Sequence, residues 1–157
     1  MPRPLVGEIV PDFALLSAKG ARIRVSDFRG KCNIVLIFCG AGRSESVRSL
    51  VRQVSELYAE FAAEETEVFT VVRGAGREAE DLDRSCAPTF PVLVDNDGHA
   101  HDLFSTRSSA RDSLPYVFIV DRYGEMRHAL HGAESQASYP ARDILEWVRY
   151  INLECPE

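Results

Sequence analysis

The chain has 157 residues, 45% of them hydrophobic, enough to bury one core and to predict a single domain over residues 1–157. A formal charge of −6 denies it the basic footprint of a nonspecific nucleic-acid binder, so no nucleic-acid partner is expected. It has no run of about 18 apolar residues to span a membrane. The opening stretch MPRPLVGEIVPDF lacks the apolar segment of a secretion signal, which makes the cytoplasm the expected location.

In chain order, residues 11–16 (PDFALL) and 21–25 (ARIRV) flank a Lys19-Gly20 turn and predict an N-terminal β-hairpin. Ser26-Asp27-Phe28 predicts a capped helical turn closed by Gly30. Residues 33–38 are a near-continuous apolar run, the pattern of a central strand covered on both faces. From Ser44 the period lengthens. Val47, Leu50, Val51, Val54, Leu57, Tyr58 and Phe61 recur at three- and four-residue spacing and predict one amphipathic helix to about Ala63. Beyond it, residues 68–72 predict a buried strand, 78–86 a shorter helix, 90–94 a strand and 101–104 a helical turn. Residues 114–120 (LPYVFIV) predict another strand, and the Asp121-Arg122-Tyr123-Gly124 turn leads to a further one over 125–130. Residues 107–113 are the most loop-like stretch, and 142–151 close the chain as a helix. This alternation predicts an α/β fold built on a mixed sheet.

The polar punctuation offers few independent sites. Cys32, Cys39, Cys86 and Cys155 include no C-x-x-C pair, so reduced thiols are expected, and a Cys39–Cys86 pair requires the fold to bring the two together. The stretch DNDGHAH has Ala100 where a calcium loop needs its sixth-position glycine and Thr106 where it needs its glutamate. It is expected to be an exposed turn, and no metal site is predicted. Gly74-Ala75-Gly76 has the place of a dinucleotide loop, but Glu78, Glu80 and Asp81 would repel phosphates there, so no cofactor is expected. Every basic residue except Lys19 and Lys31 is arginine, a bias that reads as composition rather than as a phosphate-binding surface.

Four segments, in this order and spacing, resemble the redoxin families, the alkyl hydroperoxide reductase/thiol-specific antioxidant (AhpC/TSA) proteins and their thiol-disulfide oxidoreductase relatives. They are VGEIVPDFALLSAKGARIRVSDFRGK, NIVLIF, TFPVLVDNDG and LPYVFIVDRYGEM, covering roughly residues 6–130. The resemblance implies a thioredoxin-like fold: a mixed central sheet with helices on both faces and an N-terminal β-hairpin. It also implies a peroxiredoxin-like antioxidant or thiol-oxidoreductase ancestry. The reactive centre is then expected at the start of the helix after NIVLIF, where unpaired N–H groups and the helix dipole lower a thiol's pKa.

The chemistry does not carry over residue by residue. The peroxiredoxin pattern P-x-x-x-T-x-x-C falls on Gly40, Ser44 and Val47, and only Ser44 keeps a hydroxyl. The thioredoxin-type C-x-x-C falls on Arg43 and Ser46, and the arginine that assists peroxide cleavage falls on Pro115. No cysteine lies between Gly40 and Ser85, and serine does not undergo the reversible thiol cycle. What survives is Pro115, which matches the thioredoxin-type proline, often cis, whose strand faces the reactive cysteine and binds extended substrate.

Two classes of function therefore stand open. One is a thiol-dependent peroxidase or disulfide oxidoreductase, weak or inactive unless Cys39, with Cys86 as second thiol, replaces the lost centre. The other is a non-catalytic binding module. It would hold a peptide or protein partner at the strand of Leu114 and Pro115, or a small anion at Gly40, Arg43, Ser44 and Ser46. The bland alternatives are a buried structural Cys39 and an ordinary helix cap at Ser44. The sequence leaves the oligomeric state open.

Overall fold

Strand β3 (Asn33–Phe38) is the axis of the fold, because all six of its residues are buried. Val35 and Ile37 join one core, while Ile34, Leu36 and Phe38 join a second core on the opposite face. Successive side chains of a strand point to opposite faces, so an uninterrupted apolar run serves both. The computed structural model describes residues 4–104, 115–131 and 140–154. Among them the other strands are β1 (Ala14–Ser17), β2 (Arg22–Arg24), β4 (Thr66–Arg73), β5 (Val92–Asp95), β6 (Tyr116–Val120) and β7 (Met126–His131). They form one sheet in the order β2-β1-β5-β4-β3-β6-β7. Strands β3, β4 and β5 are parallel neighbours, and the β1–β2 hairpin and the β6–β7 pair add antiparallel strands at the two edges.

The helices are α1 (Glu45–Glu56), α2 (Tyr58–Ala63), α3 (Arg77–Cys86), α4 (His99–Leu103) and α5 (Ala141–Glu154). Helices α1, α2, α3 and α5 bury apolar side chains against the Val35–Ile37 face. The other face is covered by Ala100 of α4, by Val25 of a 3-10 turn, and by an aromatic group of Phe13, Phe38, Phe104 and Phe118. Within that group Phe38 meets Phe104 at 5.0 Å and Phe118 at 5.6 Å between ring centroids. This is the α/β sandwich that the alternation of strand and helix patterns predicts.

Three details depart from the sequence-based expectation. The single helix expected over 44–63 is two helices, because Leu57 donates its N–H back to Val54 at 3.0 Å and tightens the turn. That turn lets Tyr58 hydrogen-bond Glu67 at 2.9 Å while Phe61 enters the core. Strand β4 starts earlier than its apolar run, because the parallel ladder pairs Thr66 with Asn33 and Glu67 with Ile34. Strand β5 starts later than Phe90, since Pro91 has no N–H to give to a ladder. Residues 107–113 and Leu114 lie outside the described residues. No described helix is long and apolar enough to cross a membrane.

Candidate functional site: the loop between β3 and α1

The loop from Cys39 to Ser44 lies where the sequence places the reactive centre. It turns tightly, with the Gly42 N–H donating to the Cys39 carbonyl at 2.9 Å. Gly40 and Gly42 take positive φ of 55° and 74°, a conformation that costs an L side chain about 1–2 kcal/mol. Gly40 is held from two sides. Its carbonyl accepts from the Arg73 N–H at 2.7 Å, and its N–H donates to His101 Nε2 at 3.2 Å.

His101 belongs to a buried constellation that corrects the exposed-turn expectation for the stretch DNDGHAH. Asn96, Asp97 and His99 are exposed, but Asp95 and His101 are fully enclosed. Asp95 Oδ2 lies 2.7 Å from His101 Nδ1 and accepts the His101 backbone N–H at 2.9 Å. Asp95 Oδ1 accepts the Ala100 N–H at 3.0 Å. Since Gly40 donates to Nε2, that nitrogen carries a lone pair, and the proton sits on Nδ1 facing the carboxylate. Burial alone would raise the Asp95 carboxyl. The hydrogen bonds from the His101 side chain and from the Ala100 and His101 backbone outweigh it and hold the group below the usual carboxylate range. Asp95 ends β5 and His101 lies in the middle of α4, so the pair ties the sheet's far face to the Gly40 loop. The Phe38 ring packs edge-on against His101 at 5.0 Å. The sequence signal was an acid six residues before a histidine at a strand end, which turn composition concealed.

The predicted site residues divide between mouth and core. Ser44 is the N-cap of α1, its hydroxyl accepting the Val47 N–H at 3.2 Å. Ser46 is half-buried in the first turn. The Arg43 side chain is 76% exposed and comes within 3.6 Å of Glu78 on α3. Cys39 does not reach the mouth: it is fully buried among Val35, Ile37, Val47 and Leu82. Its thiol donates weakly to the Ile37 carbonyl at 3.6 Å. Burial, reinforced by the nearby Cys86 sulfur, pushes the Cys39 thiol far above its ordinary range. Cys86, in the last turn of α3, is half-buried with its sulfur 3.9 Å from the Arg48 carbonyl. Cys32, Cys39 and Cys86 are all free thiols. Pro115 is buried just before β6. The antiparallel register pairs Phe38 with Tyr116, which puts Pro115 one residue further on, at the Cys39 end of β3. Its neighbour Leu114 is outside the described residues.

The Gly74-Ala75-Gly76 loop leads into α3. A Cβ on Gly74 would stand 2.5 Å from Glu78 Oε1, so the Glu78 carboxylate fills the space over that glycine.

A central parallel unit with antiparallel edges, a tight loop after the middle strand and a proline-led neighbouring strand define a thioredoxin-like protein. Solved structures agree on that fold. Peroxidoxin BcpB from Mycobacterium tuberculosis superposes with a TM-score of 0.83 at 19% identity, covering 96% of this chain and 99% of that one. AhpC from Enterococcus faecalis gives 0.82 at 17% identity, covering 96% and 93%. Residues 6–129 match the AhpC/TSA family, and the chain belongs to that family. A thiol-disulfide oxidoreductase, ResA from Geobacillus kaustophilus, is 28% identical over 128 residues, 81% of this chain and 70% of that protein.

Proposed function

We propose that this chain is a redox-silent member of its family, a binding module whose loop between β3 and α1 holds a small anion instead of reducing a peroxide. The observation that carries this reading is the enclosure of Cys39. The entry to α1 offers Arg43, Ser44, Glu45 and Ser46 in place of a thiol. The nearest cysteine has no exposed surface and a thiol driven toward its protonated form. A peroxidase needs a thiolate that peroxide can reach. Use of Cys39 with Cys86 would require α1 and α3 to part from the sheet, exposing Val47, Leu50 and Leu82, all fully buried. A small anion is favoured over a peptide at the Pro115 strand, because Arg43 faces solvent while Pro115 is buried.

The test is hydrogen peroxide consumption in excess dithiothreitol by the wild type, Cys39→Ser and Cys86→Ser. All three are expected to match the reductant-only background. Catalytic turnover by the wild type that disappears in Cys39→Ser would establish a relocated nucleophile and end this reading.

A further inference from the structure

We propose that the cleft between α1 and α3 binds a compact, doubly charged oxyanion of the phosphate class, gripped from its two walls by Arg43 and Arg77. This deepens the binding reading above, and rests on it, by naming the ligand and the residues that would select it.

The cleft measures about 230 Å3 and is lined by four arginines, Arg43, Arg48, Arg77 and Arg84, against two acids, Glu78 and Asp81. Such an excess of positive charge runs counter to the chain's net −6, so composition does not account for it. The arginines fall into two pairs. Arg48 and Arg84 share Asp81, at 2.9 Å to one carboxylate oxygen and 3.2 Å to the other. Arg48 also donates to the Ser85 hydroxyl, and its side chain is only 17% exposed. The charge of these two is already partly met by Asp81. Arg43 and Arg77 are the uncommitted pair. Arg43 has only the loose 3.6 Å approach of Glu78, and Arg77 has no ion pair among the described residues.

Geometry and size then select the ligand. Arg43 precedes α1 and Arg77 is the first residue of α3, so two planar forks enter from opposite walls. Each fork can meet two oxygens of one tetrahedral anion, which a single carboxylate cannot offer to both. A cleft of about 230 Å3, below the ~300–1,000 Å3 of drug-sized sites, suits free phosphate or the phosphate of a small ester. Glu78 is the competitor within the cleft, since its carboxylate lies between Gly74 and Arg43.

Isothermal titration at low ionic strength with inorganic phosphate, glycerol 3-phosphate and succinate tests this. The proteins are the wild type, the double variant Arg43→Gln/Arg77→Gln, Glu78→Gln, and Arg24→Gln as a control on distant β2. One saturable site for phosphate or its ester is expected in the wild type and the control. Binding should weaken at least tenfold in the double variant and tighten in Glu78→Gln, a gain that damaged folding would not produce. A preference for phosphate assigns the free ion, and a preference for glycerol 3-phosphate assigns an ester. No saturable binding, binding of succinate alone, or an unaffected double variant overturns the proposal. Peroxide turnover would refute the silent-thiol reading without touching these titrations, so the two failures are distinguishable.

Discussion

Replacing Asp95 by asparagine tests whether the buried Asp95–His101 pair fixes the loop at the candidate site. The aspartate accepts three hydrogen bonds in full enclosure, two of them at Oδ2. Asparagine keeps the shape but offers one oxygen, so its NH2 must face an N–H donor whichever way it turns. One or two bonds to a charged acceptor are lost, at about 1.5–3 kcal/mol each, and a buried donor is left unmet. The expected loss is about 3 kcal/mol, which lowers Tm by about 6–12 °C at about 2–4 °C per kcal/mol for a chain of this size. Guanidinium unfolding followed by circular dichroism measures it, with exposed Asp27→Asn as a control expected within about 0.5 kcal/mol. The pH dependence carries a definite sign. Since the folded pKa of Asp95 lies below the unfolded value of about 3.9, its contribution is complete above that value and is lost as pH falls through the folded pKa. The gap between wild type and variant should therefore narrow below about pH 4. A loss under about 1 kcal/mol at neutral pH, or a gap unchanged at pH 2, would refute the reasoning.

Ser44→Ala removes the cap on the Val47 N–H and should cost about 1 kcal/mol in a denaturant melt, whereas Ser44→Thr should cost less. Titration of native protein with a disulfide reagent should give the same fast-reacting thiol count for wild type and Cys39→Ser, the difference of one appearing only after unfolding. Equal protection lost in the native state would show Cys39 to be reachable. Gly74→Ala meets both a φ of +134° and a Cβ position 2.5 Å from Glu78 Oε1, so a loss of at least about 1 kcal/mol is expected from thermal unfolding. Adding Glu78→Ala should recover only part of it, because the backbone strain remains.

Much of this molecule was legible in its sequence because the relevant forces act locally or repeat with a period. The apolar run Ile34–Phe38 announced a strand buried on both faces, and the spacing from Val47 to Phe61 announced the helical layer over it. The order of four segments carried the family, and Gly40-Ala41-Gly42 before Ser44 marked the loop and the cap. Three things needed the folded chain. The depth of Cys39 depends on which face of β3 an odd-numbered residue takes and on α1 and α3 closing over it. The Asp95–His101–Gly40 link joins residues that are 61 apart in sequence at its longest reach, and only the packing of α4 behind β3 brings them together. The gathering of Arg43, Arg48, Arg77 and Arg84 was not legible because they belong to two separate segments. Only tertiary structure sets these two segments along one cleft.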